Sequence, residues 1–170
     1  MSLPLSRNRN YAQGVQIESA DLNDLQDMII GGKHGYKELL IPAAAMHTST
    51  AAPADYSGTR WTENSGSDIV YAPITLHVGD VITAIEVYGF ESAADEYDCD
   101  LYETNLTTGG DTNLGNKISG TTNAWTSVTY TTADANIPLT LLDDRAYQLR
   151  IDLTGAGVIV LAVKVTYYRP

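Results

Sequence analysis

The densest concentration of reactive groups in this sequence is a run of carboxylates: Glu91, Asp95, Glu96, Asp98, Asp100 and Glu103. Asp98 and Asp100 alternate onto one face of a strand, which sets them about 7 Å apart at the rise of extended chain. Such a pair could exchange a proton with a substrate or supply oxygen ligands to a calcium ion. Acid–base work, however, needs a cleft that raises one of the two pKa values. A helix–loop calcium site needs a twelve-residue Asp-x-Asp-x-Asp-Gly frame, which is not written here. The bland use of the same residues is a solvated edge or loop that keeps a sheet soluble and resists edge-to-edge pairing, and this is the expectation. The sequence predicts no metal and no cofactor.

The other reactive side chains are scattered. Cys99, the single cysteine, lies in the alternating stretch Tyr97-Asp98-Cys99-Asp100. Acidic neighbours do not activate a thiol, so it is expected to pack as a small hydrophobe. His34, His47 and His77 fall in separate segments with no shared ligand spacing. The stretch Gly110-Asp111-Thr112-Asn113-Leu114-Gly115-Asn116-Lys117 has the glycine spacing of a phosphate loop. Asn116, though, occupies the lysine position and no helical pattern follows, so a connection between strands is expected there. HExxH, paired CxxC and GxSxG motifs are absent, and the sequence predicts a non-enzyme. Eleven tyrosines and two tryptophans stand against one phenylalanine. Both side chains join an apolar face to a polar tip, which suits sugar or protein contacts. Trp61 and Trp125 sit close to predicted turns; core packing is the first expectation for each, and contact with a glycan the alternative.

The elements that must hold these residues change character near residue 37. Residues 1 to 17 lack periodicity and read as an extended arm carrying Arg7, Arg9 and Tyr11. A short helix follows, with Ser19 as N-cap, Asp21 in its first turn and Gly31-Gly32 as its stop. Leu22, Leu25 and Ile29 form a narrow apolar seam. A helix of about eleven residues is marginal alone in water, so it must pack, either on its own domain or, as the a/d spacing of the seam equally suits, on copies of itself.

From Lys37 the period becomes two. Strands are expected at 38–41, 69–73, 74–78, 81–88, 97–104, 117–119, 125–131, 146–153 and 158–168, with turn residues between them. Within 81–88, Val81, Thr83, Ile85 and Val87 share a face; within 158–168, Ile159, Leu161, Val163, Val165 and Tyr167 do. Residues 146–168, turning at Thr154-Gly155-Ala156-Gly157, read as a hairpin. Strands at this spacing, with no helical pattern among them, predict an all-β antiparallel β-sandwich or jelly roll over 37–170, preceded by the arm and helix of 1–36.

Composition excludes other classes. In 170 residues, 21 acids face 10 bases for a net charge of −11. This repels phosphate backbones and argues against nucleic acid. The longest apolar run, Val158 to Val163, is too short to cross a bilayer. The first residues have no apolar core of signal-peptide length, and a lone cysteine suits a reducing compartment, so folding in a cytoplasm is expected.

Arg7-Asn8-Arg9-Asn10-Tyr11, followed by Asp21-Leu22-Asn23-Asp24-Leu25-Gln26-Asp27, resembles the N-terminal attachment segments of phage tail-fibre and related virion proteins. The later stretches Leu40-Ile41-Pro42-Ala43, Ala72-Pro73-Ile74, Asp100-Leu101-Tyr102 and Val163-Lys164-Val165-Thr166-Tyr167-Tyr168 are similar to β-sandwich domains of phage-like and bacterial surface proteins. Unlike long fibres, the sequence shows no repeated shaft and no receptor-binding tip. The resemblance implies a virion structural subunit (fibre, collar or capsid decoration) with other particle subunits as partners. It also implies a homo-oligomer, with a trimer favoured, and attachment to the host. A carbohydrate-binding adhesion module using Trp61 and Trp125 is the alternative.

Overall fold

A computed structural model describes residues 35–48, 54–63, 68–120, 123–131, 134, 136–155 and 157–170. The expected arm residues Arg7, Arg9 and Tyr11, the helix seam Leu22, Leu25 and Ile29, and His34 lie outside the described residues. The described chain is all-β. Its strands are β1 (Lys37–Pro42), β2 (His47–Thr48), β3 (Asp55–Tyr56), β4 (Trp61–Thr62), β5 (Asp68–Ile74) and β6 (Val81–Glu91), then β7 (Tyr97–Asn105), β8 (Asp111–Ile118), β9 (Ala124–Tyr130), β10 (Leu139–Thr140), β11 (Arg145–Leu153) and β12 (Ile159–Tyr168). One 3-10 turn, Ala43–Ala45, follows β1.

These strands form a seven-stranded sheet, β10-β6-β12-β4-β3 with β1 also on β12 and β9 also on β6, and a five-stranded sheet, β2-β5-β11-β7-β8. Alternation explains the layering. In β5 and β11 each second residue is buried, so Val70, Ala72, Leu149, Ile151 and Leu153 of the smaller sheet meet Ile85, Val87, Val128, Val163 and Val165 of the larger in one core. Each such valine, leucine or isoleucine contributes about 1.5–3 kcal/mol on burial.

Two tyrosines tie the layers through the core. The Tyr97 hydroxyl, on the smaller sheet, donates to the Val87 carbonyl of the larger at 3.3 Å. The Tyr130 hydroxyl, on the larger, donates to the Cys99 carbonyl of the smaller. Burial pushes the Tyr97 phenol up to about 12. Gly89 makes room for the first of these rings: a Cβ there would lie 2.5 Å from the Ile159 carbonyl and 2.8 Å from the Tyr97 ring.

The structure corrects several sequence expectations. Residues 146–168 are not a hairpin: β11 belongs to the smaller sheet and β12 to the larger. Period-two alternation marks a strand but not its partner, and here β11 already has β5 and β7 on its two sides. Residues 110–117 are not a mere connection, because most of them form β8, which pairs with β7 through a register shift at Leu101/Tyr102. Residues 69–78 make one strand rather than two, ending at Ile74. The shared faces also break. A shift between Val160 and Ala162 puts Val160 rather than Leu161 in the core, and a second, between Thr166 and Tyr167, buries Ile82 where Thr83 was expected.

Candidate functional site

On the outer face of the larger sheet, the alternation that buries Val87 and Val128 turns Tyr88, Phe90, Trp125 and Ser127 outward. Phe90 stands opposite Trp125, and Tyr88 stands between Ser127 on one side and Ala162 on the other. The Phe90 and Trp125 rings meet edge to face at 5.3 Å, yet Trp125 remains 56% exposed. A bulge re-aims a side chain, and the one at Val160/Ala162 brings Leu161 to the same place. The result is an open depression of about 410 Å³ lined by Tyr88, Gly89, Trp125, Thr126, Ser127 and Leu161.

One end of the depression is charged. The Tyr88 hydroxyl donates to Glu86 at 3.1 Å. The Lys164 ammonium pairs with Glu86, lies 3.9 Å from Glu38 and sits 5.8 Å from the Tyr88 ring centroid. The Lys164 pairing holds the Glu86 carboxyl below its ordinary value and raises the ammonium's own. Tyr88, Phe90, Leu161, Glu86 and Lys164 were not singled out from the sequence. The signal of Glu86, Tyr88, Phe90 and Lys164 was present only as the non-core half of two alternating strands, and Leu161 was expected on the core half.

The other predicted tryptophan is differently placed. Trp61 is half-buried, packs against the core, donates its indole N–H to the Ala43 carbonyl at 2.9 Å, and lies 5.0 Å from the Tyr56 ring.

Of the acidic run, Asp98 and Asp100 turn onto the outer face of the smaller sheet, while Glu91 ends β6 of the larger and is buried there. Strand β7 is not at an edge, as expected, but lies between β11 and β8. Arg150 donates to Asp100 at 3.0 Å and to Asp152 at 2.7 Å. Asn113 and Asn116 donate to the other Asp100 oxygen at 2.8 and 3.0 Å, and Asn116 also reaches Asp98. Asp100 is only 8% exposed. Burial, reinforced by Asp100 and Asp152, raises the Asp98 carboxyl above its ordinary value. The adjacent Cys99 is fully buried, and that burial pushes its thiol well up. His47 stacks on Tyr71 at 5.4 Å beside this network. Among the described residues, no group of three or more His, Cys, Asp or Glu is placed to hold a metal ion.

A third feature lies at the end of the sandwich where β1 begins. Tyr36, 73% exposed, meets Tyr168 edge-on at 6.1 Å. Arg169 bonds the buried Asp80 at 2.7 Å, and the Gly79 amide bonds the Leu141 carbonyl at 2.9 Å. The Leu106 amide bonds the Asp144 carbonyl at 2.9 Å. These links join the loops into one rim that presents Tyr36, Val78, Leu142 and Leu106 to solvent. The Trp125 depression lies toward the other end, about 24 Å away along β12 from Tyr168 to Leu161 at the rise of a strand.

No protein family and no curated protein matches this chain in sequence. Solved structures share its strand arrangement only distantly. One is the C-terminal CBM6 of LamC, a laminarinase from Zobellia galactanivorans, with a TM-score of 0.49, 16% identity, and 76% of this chain and 99% of that chain covered. A second is the carbohydrate-binding module CBM36 in complex with calcium and xylotriose, at 0.43, 16%, and 76% and 98% covered. A chain of the cyanophage Pam1 capsid asymmetric unit is also similar, at 0.43, 13%, and 99% and 100% covered. Likenesses this distant extend to the strand layout alone.

Proposed function

We propose that this chain is a non-enzymatic structural subunit of a virion or phage-tail-like particle (a fibre, collar or surface decoration) that assembles in the host cytoplasm. The observation that carries this is the apolar rim. Tyr36, Val78, Leu106 and Leu142 stand exposed together where residues 1–36 lead into β1. Exposed apolar groups gathered at one end favour a contact surface, and in the sequence Tyr36 follows directly on the segment that resembles an attachment device. In this reading the 37–170 sandwich is one domain and 1–36 the other. Arg7, Arg9 and Tyr11 engage acidic and polar groups of neighbouring subunits, and the Leu22, Leu25 and Ile29 seams bury together, three-fold. Light scattering after size exclusion tests it: an oligomeric full chain and a monomeric 37–170 fragment are expected. Unchanged assembly and particle incorporation after deletion of 1–36 would overturn it.

A second reading, compatible with the first, is adhesion to host-surface carbohydrate. The exposed indole of Trp125, flanked by Phe90, Tyr88 and the Ser127 hydroxyl, favours it. A flat ring offers its face to the C–H side of a pyranose while hydroxyls meet the sugar's own. A glycan titration that quenches Trp125 fluorescence is expected; a flat response across neutral and acidic glycans would exclude this reading.

A further inference from the structure

We propose that the Trp125 depression selects neutral glycans and rejects acidic ones, and that Glu86 sets this choice by occupying Lys164. The inference rests on the second reading above and names the ligand class of that site.

Recognition of a carboxylated sugar requires a cation able to turn its donors toward the ligand. Across β9, β6 and β12, the strands that floor the depression, the sole basic residue is Lys164. Its ammonium is reached by two carboxylates: it pairs with Glu86 across the β6–β12 register and lies 3.9 Å from Glu38 of β1. The local sum of Glu38, Glu86 and Lys164 is therefore one net negative charge, within a chain of net charge −11. A uronate or sialate that extends from Trp125 past Tyr88 would meet this excess, and to bond the lysine it would have to displace a carboxylate already there. A neutral pyranose meets no such opposition. It stacks on Trp125, and carboxylate and phenol oxygens are good partners for its hydroxyls.

Glu86→Gln tests the assignment because it keeps the side chain's size while releasing the lysine from its nearer partner. In the full-length protein carrying Trp61→Phe, so that Trp125 alone reports, the expected result is quenching by at least one of cellopentaose, mannopentaose or tri-N-acetylchitotriose. Pentagalacturonate and 3′-sialyllactose are expected to leave the signal flat. Glu86→Gln then tightens binding of an acidic probe by about tenfold, as one new charge-assisted contact allows. Lys164→Gln, made in parallel, gives no such gain. Acidic probes binding the parent as well as neutral ones, or an unchanged acidic response in Glu86→Gln while neutral binding persists, would overturn neutral selection alone. No response to either class, with Trp125 intact and the thermal melt unchanged, would overturn the glycan reading together with it.

Discussion

On the smaller sheet, Arg150, Asp100, Asp152, Asn113 and Asn116 spend their polar groups on one another. On the larger sheet, Trp125 stands open to solvent beside Phe90, Tyr88 and Leu161. Both outer faces arise from the same alternation, and both carry carboxylates and a cation. The difference lies in where the apolar area went. The smaller sheet turns mostly polar residues outward, and these close into a network that contributes to stability and leaves little for a ligand. The larger sheet turns Tyr88, Phe90 and Trp125 outward side by side, with Trp125 open to water. A dense charge cluster is thus weak evidence for a site, whereas an exposed aromatic cluster beside hydroxyls is stronger evidence.

Substitutions sharpen this contrast, beginning with the network. Arg150→Met leaves the nearly buried Asp100 without its guanidinium, and urea unfolding should show a loss of about 2.5 kcal/mol, as for losing a hydrogen bond to a charged group. A loss below about 0.5 kcal/mol would erase the distinction between the faces. Trp61→Ala should cost about 2 kcal/mol, since it removes a half-buried ring and leaves the Ala43 carbonyl without its indole donor. That effect, set against Trp125, separates a packed tryptophan from a presented one.

Asp98→Asn should act in the opposite direction. The folded state holds the Asp98 proton more tightly than the unfolded state does. Stability therefore falls as pH rises from the ordinary carboxylate pKa through the raised folded value, and the penalty is fully present at pH 7. Removing the charge should gain about 0.5 kcal/mol in neutral urea melts, with the gain vanishing once the acid form is reached. A gain that persists at low pH would assign the effect to packing. Trp125→Ala should be the mildest for the fold, within about 0.5 kcal/mol of the parent as for an exposed site, while abolishing glycan quenching. A large loss of stability would place Trp125 with Trp61 as a structural residue.

Much of the architecture was legible before the fold was known. Cys99 reads as a buried strand residue from its alternating neighbours, and it is fully buried. The reading of β7 as a solvated edge failed because charge density reports side-chain polarity, not pairing, and two further strands happen to flank it. The phosphate-loop-like stretch became β8 because its asparagines could cap the carboxylates of β7, a gain that exists only between strands. Leu161 was read as a core residue because a bulge, invisible in period-two counting, moved it to the side on which Tyr88 stands.

Local sequence therefore determined that residues 37–170 are all-β, where most of their strands run and which residues face inward along the stretches without a bulge, since alternation and turn residues act over a few positions. Tertiary structure alone decided that β11 and β12 lie in different sheets, that Arg150 of β11 and the asparagines of β8 converge on Asp100 of β7, and that Trp125, Phe90, Tyr88 and Leu161 meet. Those outcomes depend on contacts between distant segments, whose free energy appears only once the two sheets have closed on a common core.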